Sequence, residues 1–108
     1  MGRQRFDAEV IEEKAGEVAG ILRALANERR VMILCKLVQL GEASVNTLAE
    51  GVGLSQSALS QHLAKMRAEG LVTFRRESQT LWYRVADPRI EQLFATLYAL
   101  FCAERKDR

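Results

Sequence analysis

Residues 54–71, LSQSALSQHLAKMRAEGL, predict a helix with one buried face and one polar face. Leu59, Leu63 and Met66 recur at helical spacing and form an apolar stripe that faces a core. Ser55 stands where an N-cap belongs, and Gly70 is a natural C-terminal stop. The opposite face carries side chains that suit base edges and phosphates, or simply water: Ser57, Ser60, Gln61, Ala64, Lys65 and Ala68.

The segments on either side of this helix predict a helix-turn-helix followed by a wing. Ser44 is positioned to cap a short helix through Glu50, with Gly51 and Gly53 in the turn, so the motif spans about residues 44–69. After Gly70 the apolar period becomes two, which predicts a hairpin over about residues 72–85, joined by residues 77–79. Near its tip lie two cations that suit phosphates or a minor groove, or are merely solvated: Arg75 and Arg76.

Three further helices are predicted around this motif. The helix from Glu28 to Leu40, capped by Asn27, is apolar over much of its circumference, so we expect it to be central and buried. The helices over about residues 9–25 and 88–105 carry more apolar side chains than so small a domain can cover. We expect them to join two copies of the chain across a two-fold axis, the alternative being that they fill their own core.

Length and composition indicate one globular domain over residues 1–108. The chain has 48% apolar and 28% charged residues and a single proline, with no linker or low-complexity segment. It has neither an apolar signal region nor a run long enough to span a membrane, so we expect a cytoplasmic protein. The net charge is only +2, but residues 54–84 hold five cations against two acids, which favours a nucleic-acid partner.

The metal-ligating and nucleophilic residues are few. A zinc site requires about four ligands, and the only histidine is His62, on the polar helix, so we expect no metal. Cys35 and Cys102 are far apart in sequence and form neither a CxxC motif nor a Cys–His pair, which argues against a thiol enzyme. The residues by themselves favour two buried thiols that act as small hydrophobic side chains.

The stretches ALANERRVMIL, GLSQSALSQHLAKMRAEGLV and RRESQTLWYRV resemble the ArsR-type winged-helix repressors over roughly residues 15–105. The resemblance implies a mainly α fold with a small β-hairpin, in the order α-α-α-α-β-β-α. It also implies a homodimer on palindromic double-stranded operator DNA, with half-sites about 34 Å apart, rather than an enzyme. By position, the DNA-contacting residues are Ser55, Gln56, Ser57, Ser60, Gln61, His62 and Lys65, with Arg75 and Arg76 in the wing. A degenerate winged helix that binds only proteins is the rival interpretation.

The segments ILCKL and YALFCAERK resemble one branch of that family, the persulfide-sensing repressors of the BigR, SqrR and HlyU type. Members of that branch carry a cysteine at both places, whereas NolR-like relatives lack the pair. The resemblance implies that reactive sulfur species link Cys35 to Cys102 through a disulfide or polysulfide and that DNA is then released, with no cofactor. The alternatives are a general peroxide or thiol-redox sensor and a metal sensor. Arg105 and Lys106 follow Cys102 and favour its thiolate, whereas the helix dipole opposes it.

Overall fold

The computed structural model describes residues 5–102 and contains five helices and three strands. The order confirms the predicted winged helix-turn-helix with a flanking helix pair, and adds one short strand. The elements are α1 (Ala8–Leu25), α2 (Glu28–Leu40), β1 (Ala43–Ser44), α3 (Val45–Val52), α4 (Gln56–Ala68), β2 (Val72–Glu77), β3 (Thr80–Val85) and α5 (Pro88–Phe101). None of the helices in this range is long and apolar enough to cross a membrane.

Each helix begins at a polar side chain that accepts a hydrogen bond from a backbone N–H of the first turn. These bonds satisfy donors that have no partner within the helix. The predicted caps Asn27, Ser44 and Ser55 are confirmed, with Ser44 Oγ accepting from Thr47 N at 3.2 Å. The aspartates before α1 and α5 do the same, which explains why both helices start where they do: Asp7 and Asp87.

Glycine ends the two helices of the central motif, although only one of the two predicted turn glycines lies in the turn. Gly53 has a left-handed φ of 70° and ends α3, as expected. Gly51 lies within α3, so its predicted place in the turn was wrong. A Cβ at Gly51 would come within 2.8 Å of the Lys36 side chain on α2, so the missing side chain leaves room for this contact between α2 and α3. Gly70, with φ 81°, follows the end of α4 as predicted.

The three strands form one antiparallel sheet in the order β1-β3-β2. The wing pairs Val72 with Val85 and continues to Glu77 opposite Thr80. The connection is therefore the two residues Ser78 and Gln79, not the three residues predicted, because the strand pairing extends through Glu77. Strand β1 pairs Ala43 with Tyr83, which fixes the start of α3 against the wing.

The core lies where α2, α3 and α4 meet the sheet. Helix α2 supplies three buried side chains, but its outer face is open, with Met32 47% exposed and Cys35 also exposed. Helix α2 contacts α1, α3, α5 and β3, so it is central as predicted, but elements of the described chain cover only one side of it. The fully buried side chains around this core include Ile33, Leu34, Leu37, Leu48, Leu59, Leu63, Met66 and Ile90.

Helices α1 and α5 expose most of their apolar side chains. Only Leu25 of α1 is buried, so the alternative that α1 fills its own core is wrong. Helix α5 buries Ile90 and Phe94 and ends at Phe101. The exposed apolar side chains of the two helices are Val10, Ile11, Val18, Leu22, Tyr98, Leu100 and Phe101. The predicted continuation of α5, with Arg105 and Lys106, lies outside the described residues.

Candidate nucleic-acid interface and thiol pair

The polar face of α4 is presented outward by the burial of the opposite face. Leu59, Leu63 and Met66 are completely buried and fix the rotation of the helix. All the DNA-contacting positions predicted on this segment are consequently exposed, except His62, which is half-buried. Gln61, His62 and Lys65 line a shallow depression of about 120 Å³ on this face. The arrangement gives a row of hydroxyl, amide and ammonium groups along one exposed helix.

The first two residues of this segment already have partners within the protein. Ser55 Oγ accepts from Ala58 N at 3.1 Å, and the Gln56 side-chain amide donates to the Asn46 side-chain oxygen on α3. The first bond caps α4, and the second links α4 to α3. The hydrogen bonds of the described chain leave the side chains farther along α4 available for an outside partner: Ser57, Ser60, Gln61, His62 and Lys65.

The two arginines of the wing differ in their surroundings. Arg75 donates to both carboxylate oxygens of Glu42, from Nε at 2.7 Å and from Nη2 at 3.0 Å, and its Nη1 reaches Glu77 at 2.9 Å. These bonds raise the pKa of Arg75 and lower that of Glu42. Arg76 is exposed and makes no ion pair within residues 5–102. This difference could not be predicted from local sequence patterns, because Glu42 is 33 residues away from Arg75.

The two cysteines lie on helices that pack against each other, α2 and α5. Cys35 is exposed and Cys102 is half-buried at the end of α5, where its N–H donates to Tyr98 O at 2.8 Å. The prediction of two buried thiols is therefore wrong for Cys35. Partial burial raises the pKa of Cys35, and the negative charge of an ionised Cys102 raises it further. The two thiols of this pair thus differ in exposure, and they lie on two elements that contact each other.

No group of three or more histidine, cysteine or acidic side chains that could hold a metal ion occurs in the part of the chain that the structure describes. His62 lies on α4, whereas the thiols lie on α2 and α5.

A second ion pair that the sequence did not reveal lies at the end of α4. Arg30 donates from Nη1 to Glu69 Oε1 at 2.7 Å and from Nη2 to Oε2 at 3.1 Å. The available signal was indirect: Glu69 places a negative charge at the C-terminal end of a helix, where the helix dipole disfavours it. An acid at that position suggests a cation from elsewhere in the fold, but not which one.

Comparison with known proteins agrees with this architecture. The model of the family described as "Bacterial regulatory protein, arsR family" matches residues 27–73. The biofilm growth-associated repressor of Xylella fastidiosa strain 9a5c is 38% identical over 104 residues, covering 96% of this chain and 90% of the relative. The transcriptional activator HlyU of Vibrio cholerae is 42% identical over 92 residues, covering 85% of this chain and 84% of the relative.

A solved structure shares the fold closely. The crystal structure of the transcriptional repressor BigR from Xylella fastidiosa superposes with a TM-score of 0.84 at 39% identity, covering 91% of this chain and 99% of that one. Regulators of this family bind operator DNA and are often homodimeric. The chain therefore belongs to the ArsR family of winged helix-turn-helix transcriptional regulators, in the branch that includes BigR and HlyU.

Proposed function

We propose that this protein is a homodimeric repressor that releases a palindromic operator when sulfane sulfur bridges Cys35 and Cys102. The observation that carries the proposal is the thiol pair itself. One thiol is exposed on α2, the other is half-buried at the end of α5, and α2 and α5 contact each other. Such a regulator works in the cytoplasm, where its operator lies and where thiols are kept reduced.

The DNA contacts divide by chemistry. Ser57, Ser60, Gln61 and His62 present hydroxyl, amide and imidazole groups that suit base edges in the major groove. Lys65 on α4 and Arg76 on the wing suit phosphates, which supply affinity without sequence information. Ser55, Gln56 and Arg75 approach the same DNA, but their side chains are already engaged with Ala58, Asn46 and Glu42. Their main contribution is to hold α4 and the wing in position.

The exposed apolar faces of α1 and α5 support a homodimer. Arg89 on α5 donates to Glu17 on α1 at 2.7 Å, so the two helices meet at this ion pair. Both helices also expose large apolar side chains, including Leu22 at 54%, Tyr98 at 54% and Phe101 at 77% exposure. Exposed apolar helix faces of this kind are typical of an interface between subunits. A second copy covers these side chains and places two α4 helices on one duplex.

The bridging reaction balances without a cofactor. The thiolate of one cysteine attacks the outer sulfur of a low-molecular-weight persulfide, gains that sulfur and expels a thiol. The other cysteine gains a sulfur from a second persulfide molecule in the same way. The perthiolate of one protein persulfide then attacks the carbon-bonded sulfur of the other, a trisulfide forms and hydrogen sulfide leaves. Two protein thiols and two persulfides thus give one trisulfide, two thiols and one hydrogen sulfide. A thiolate attacks in both sulfur-transfer steps, so their rates depend on the pKa of the attacking thiol.

The bridge is placed to change DNA affinity. Helix α2 underlies the helix-turn-helix through its contacts with α3, and α5 carries part of the exposed apolar surface. A covalent link between them alters how the DNA-binding helices sit relative to the dimer interface. A switch of this kind requires that the two geometries differ in stability, and a bridge that forms mainly in one of them supplies that difference.

The test is operator binding before and after sulfuration. The probe is a duplex from the promoter region of its own gene, and the protein is compared when reduced and after glutathione persulfide, with intact mass measured in parallel. We expect tight binding when reduced, and a large loss of affinity together with inserted sulfur that links Cys35 to Cys102. The variants Cys35→Ser and Cys102→Ser should bind the duplex equally well and no longer respond.

Three results would separate the alternatives. Unchanged binding by the sulfurated wild-type protein would refute the sensing role and leave the DNA-binding role intact. An equal response to hydrogen peroxide, with a plain disulfide and no added sulfur, would indicate a general thiol-redox sensor. Failure of the reduced protein to distinguish this duplex from a scrambled one would contradict the repressor role itself.

A further inference from the structure

Arg30 connects three parts of the fold through one side chain. Its guanidinium binds both carboxylate oxygens of Glu69, and Nη1 also donates to the carbonyl oxygen of Ala24 at 2.9 Å. The Arg30 side chain is only 14% exposed. Its backbone N–H is bound by Asn27, the cap of α2. The end of α1, the start of α2 and the end of α4 therefore meet at this guanidinium.

Glu69 is held at a position that the helix disfavours. It is the C-cap of α4, and the peptide dipoles of a helix leave a partial negative charge at that end. The pKa of Glu69 is nevertheless lowered, because the hydrogen bond to Arg30 and its positive charge stabilise the carboxylate. A planar guanidinium fixes a carboxylate in direction as well as distance when both oxygens are bound.

The other end of α4 is fixed independently. Ser55 caps its first turn, and Gln56 is bonded to Asn46 on α3. The buried stripe sets the rotation of the helix about its axis. The C-terminal half of α4, which includes Lys65, packs on the core through Leu63 and Met66, and the ion pair of Glu69 with Arg30 connects its end to α1 and α2.

We propose that Arg30 and Glu69 are positioning residues for sequence-specific DNA recognition: their bidentate ion pair sets the tilt of α4 and thereby the register of its polar face on the bases. Neither residue needs to touch a base edge for this. The inference rests on the recognition role proposed for α4. It goes further by assigning part of the DNA sequence specificity to a contact between two residues that are 39 positions apart in the chain.

For Glu69→Gln, a positioning role and simple electrostatic attraction predict opposite changes in DNA affinity. Glu69→Gln removes a negative charge from the end of a basic helix, and simple attraction to phosphates should then strengthen binding to every DNA sequence. If the ion pair sets the tilt of α4, the same variant should instead weaken binding to the operator. Glu69→Gln therefore separates positioning from charge by the sign of the effect.

The experiment measures fluorescence anisotropy of two duplexes of equal length, the promoter duplex and a scrambled one, with the reduced full-length protein. For Glu69→Gln we expect about a tenfold loss of affinity for the promoter duplex, typical of losing one charge-assisted pair. Affinity for the scrambled duplex should be unchanged or slightly raised. Arg30→Lys keeps the positive charge but cannot form the bidentate ion pair, so the affinity of this variant for the promoter duplex should also fall.

Two controls distinguish positioning from loss of folding. Glu50→Gln removes an exposed acid of α3 that makes no ion pair within the described residues, and the ratio of the two affinities should stay the same. Arg30→Glu alone should lower the ratio of promoter affinity to scrambled affinity. The double variant Arg30→Glu with Glu69→Arg, which exchanges the two charges, should recover part of that ratio. Circular dichroism confirms that each variant is folded.

Equal or higher promoter affinity in Glu69→Gln would overturn the proposal while leaving the repressor role standing. A wild-type protein that binds both duplexes equally would overturn the recognition role of α4, and this inference with it.

Discussion

Arg75 and Arg76 are neighbours in sequence, but their side chains have different environments. Arg75 is bound by the carboxylates of Glu42 and Glu77, which neutralise much of its positive charge. Arg76 faces solvent with its charge available. A phosphate contact requires an available cation, and each such contact contributes about one unit to the salt dependence of DNA binding. The environments of the two side chains thus predict unequal roles for residues that look equivalent in the sequence.

Replacing Arg76 with glutamine should weaken binding to all DNA sequences and reduce the slope of log affinity against log salt by about 1. Arg75→Gln should change that slope much less, because Glu42 and Glu77 already neutralise this guanidinium. Affinity titrations at several salt concentrations, with both variants measured on the same duplex, test this. Equal slopes in the two variants would contradict the assignment.

The pH dependence of Cys35 reactivity tests the proximity of the thiols. The pKa of Cys35 lies above the ordinary value of 9.0, so the thiol is mostly protonated at neutral pH and its alkylation should accelerate as the pH rises through and beyond that value. The negative charge of an ionised Cys102 contributes to the raised pKa of Cys35. Cys102→Ser should therefore shift the profile to lower pH, as measured by iodoacetamide labelling and peptide mass spectrometry. An unchanged profile would mean that the two sulfur atoms do not interact.

At the scale of elements, the end of α4 is a Schellman motif. Gly70 N donates to Arg67 O at 3.0 Å, and Leu71 N donates to Met66 O at 2.9 Å. The motif needs a left-handed residue, which Gly70 supplies with φ 81°. The turn both stops the helix and directs the chain into β2. The same turn places Glu69 where Arg30 reaches it.

Gly70→Ala should lower the free energy of unfolding by about 1 kcal/mol, because an L side chain is strained at this φ. A Cβ would meet no atom within 4 Å, so the cost is conformational rather than steric. Gly70→Asn is the matched control, since asparagine tolerates this conformation better, and it should lose less. Urea unfolding of both variants measures the difference. Equal losses would contradict the conformational explanation.

At the scale of the molecule, the chain exposes more surface than a compact monomer of its size. Its accessible surface is 8070 Å², against about 6,100 Å² expected from its mass. Its radius of gyration is 15.7 Å, against about 13 Å for a compact chain of this length. The exposed apolar side chains of α1 and α5 contribute to this surface. A second copy of the chain would cover this surface.

Leu22→Glu should convert the protein from a dimer to a monomer, because it places a charge in the middle of the apolar face of α1. The side chain is 54% exposed in one chain, so the fold of the single chain should survive. Sedimentation equilibrium measures the change, with circular dichroism as a check on folding. Gln79→Glu adds the same charge at the wing tip and should leave the dimer intact. A monomeric wild-type protein would refute the dimer outright.

Local features of the sequence determined the five helices and the two strands of the wing, the caps of the central helices and the outward face of α4, but not the short strand β1. These depend on side chains a few positions apart: a cap and its first turn, a stripe at helical spacing, alternation in a strand. The tertiary structure alone decided that Cys35 is exposed, that Gly51 is helical, and that Arg75 and Arg30 are engaged by Glu42 and Glu69. Those outcomes depend on which elements cover one another and on partners more than 30 residues apart, which local periodicity does not encode.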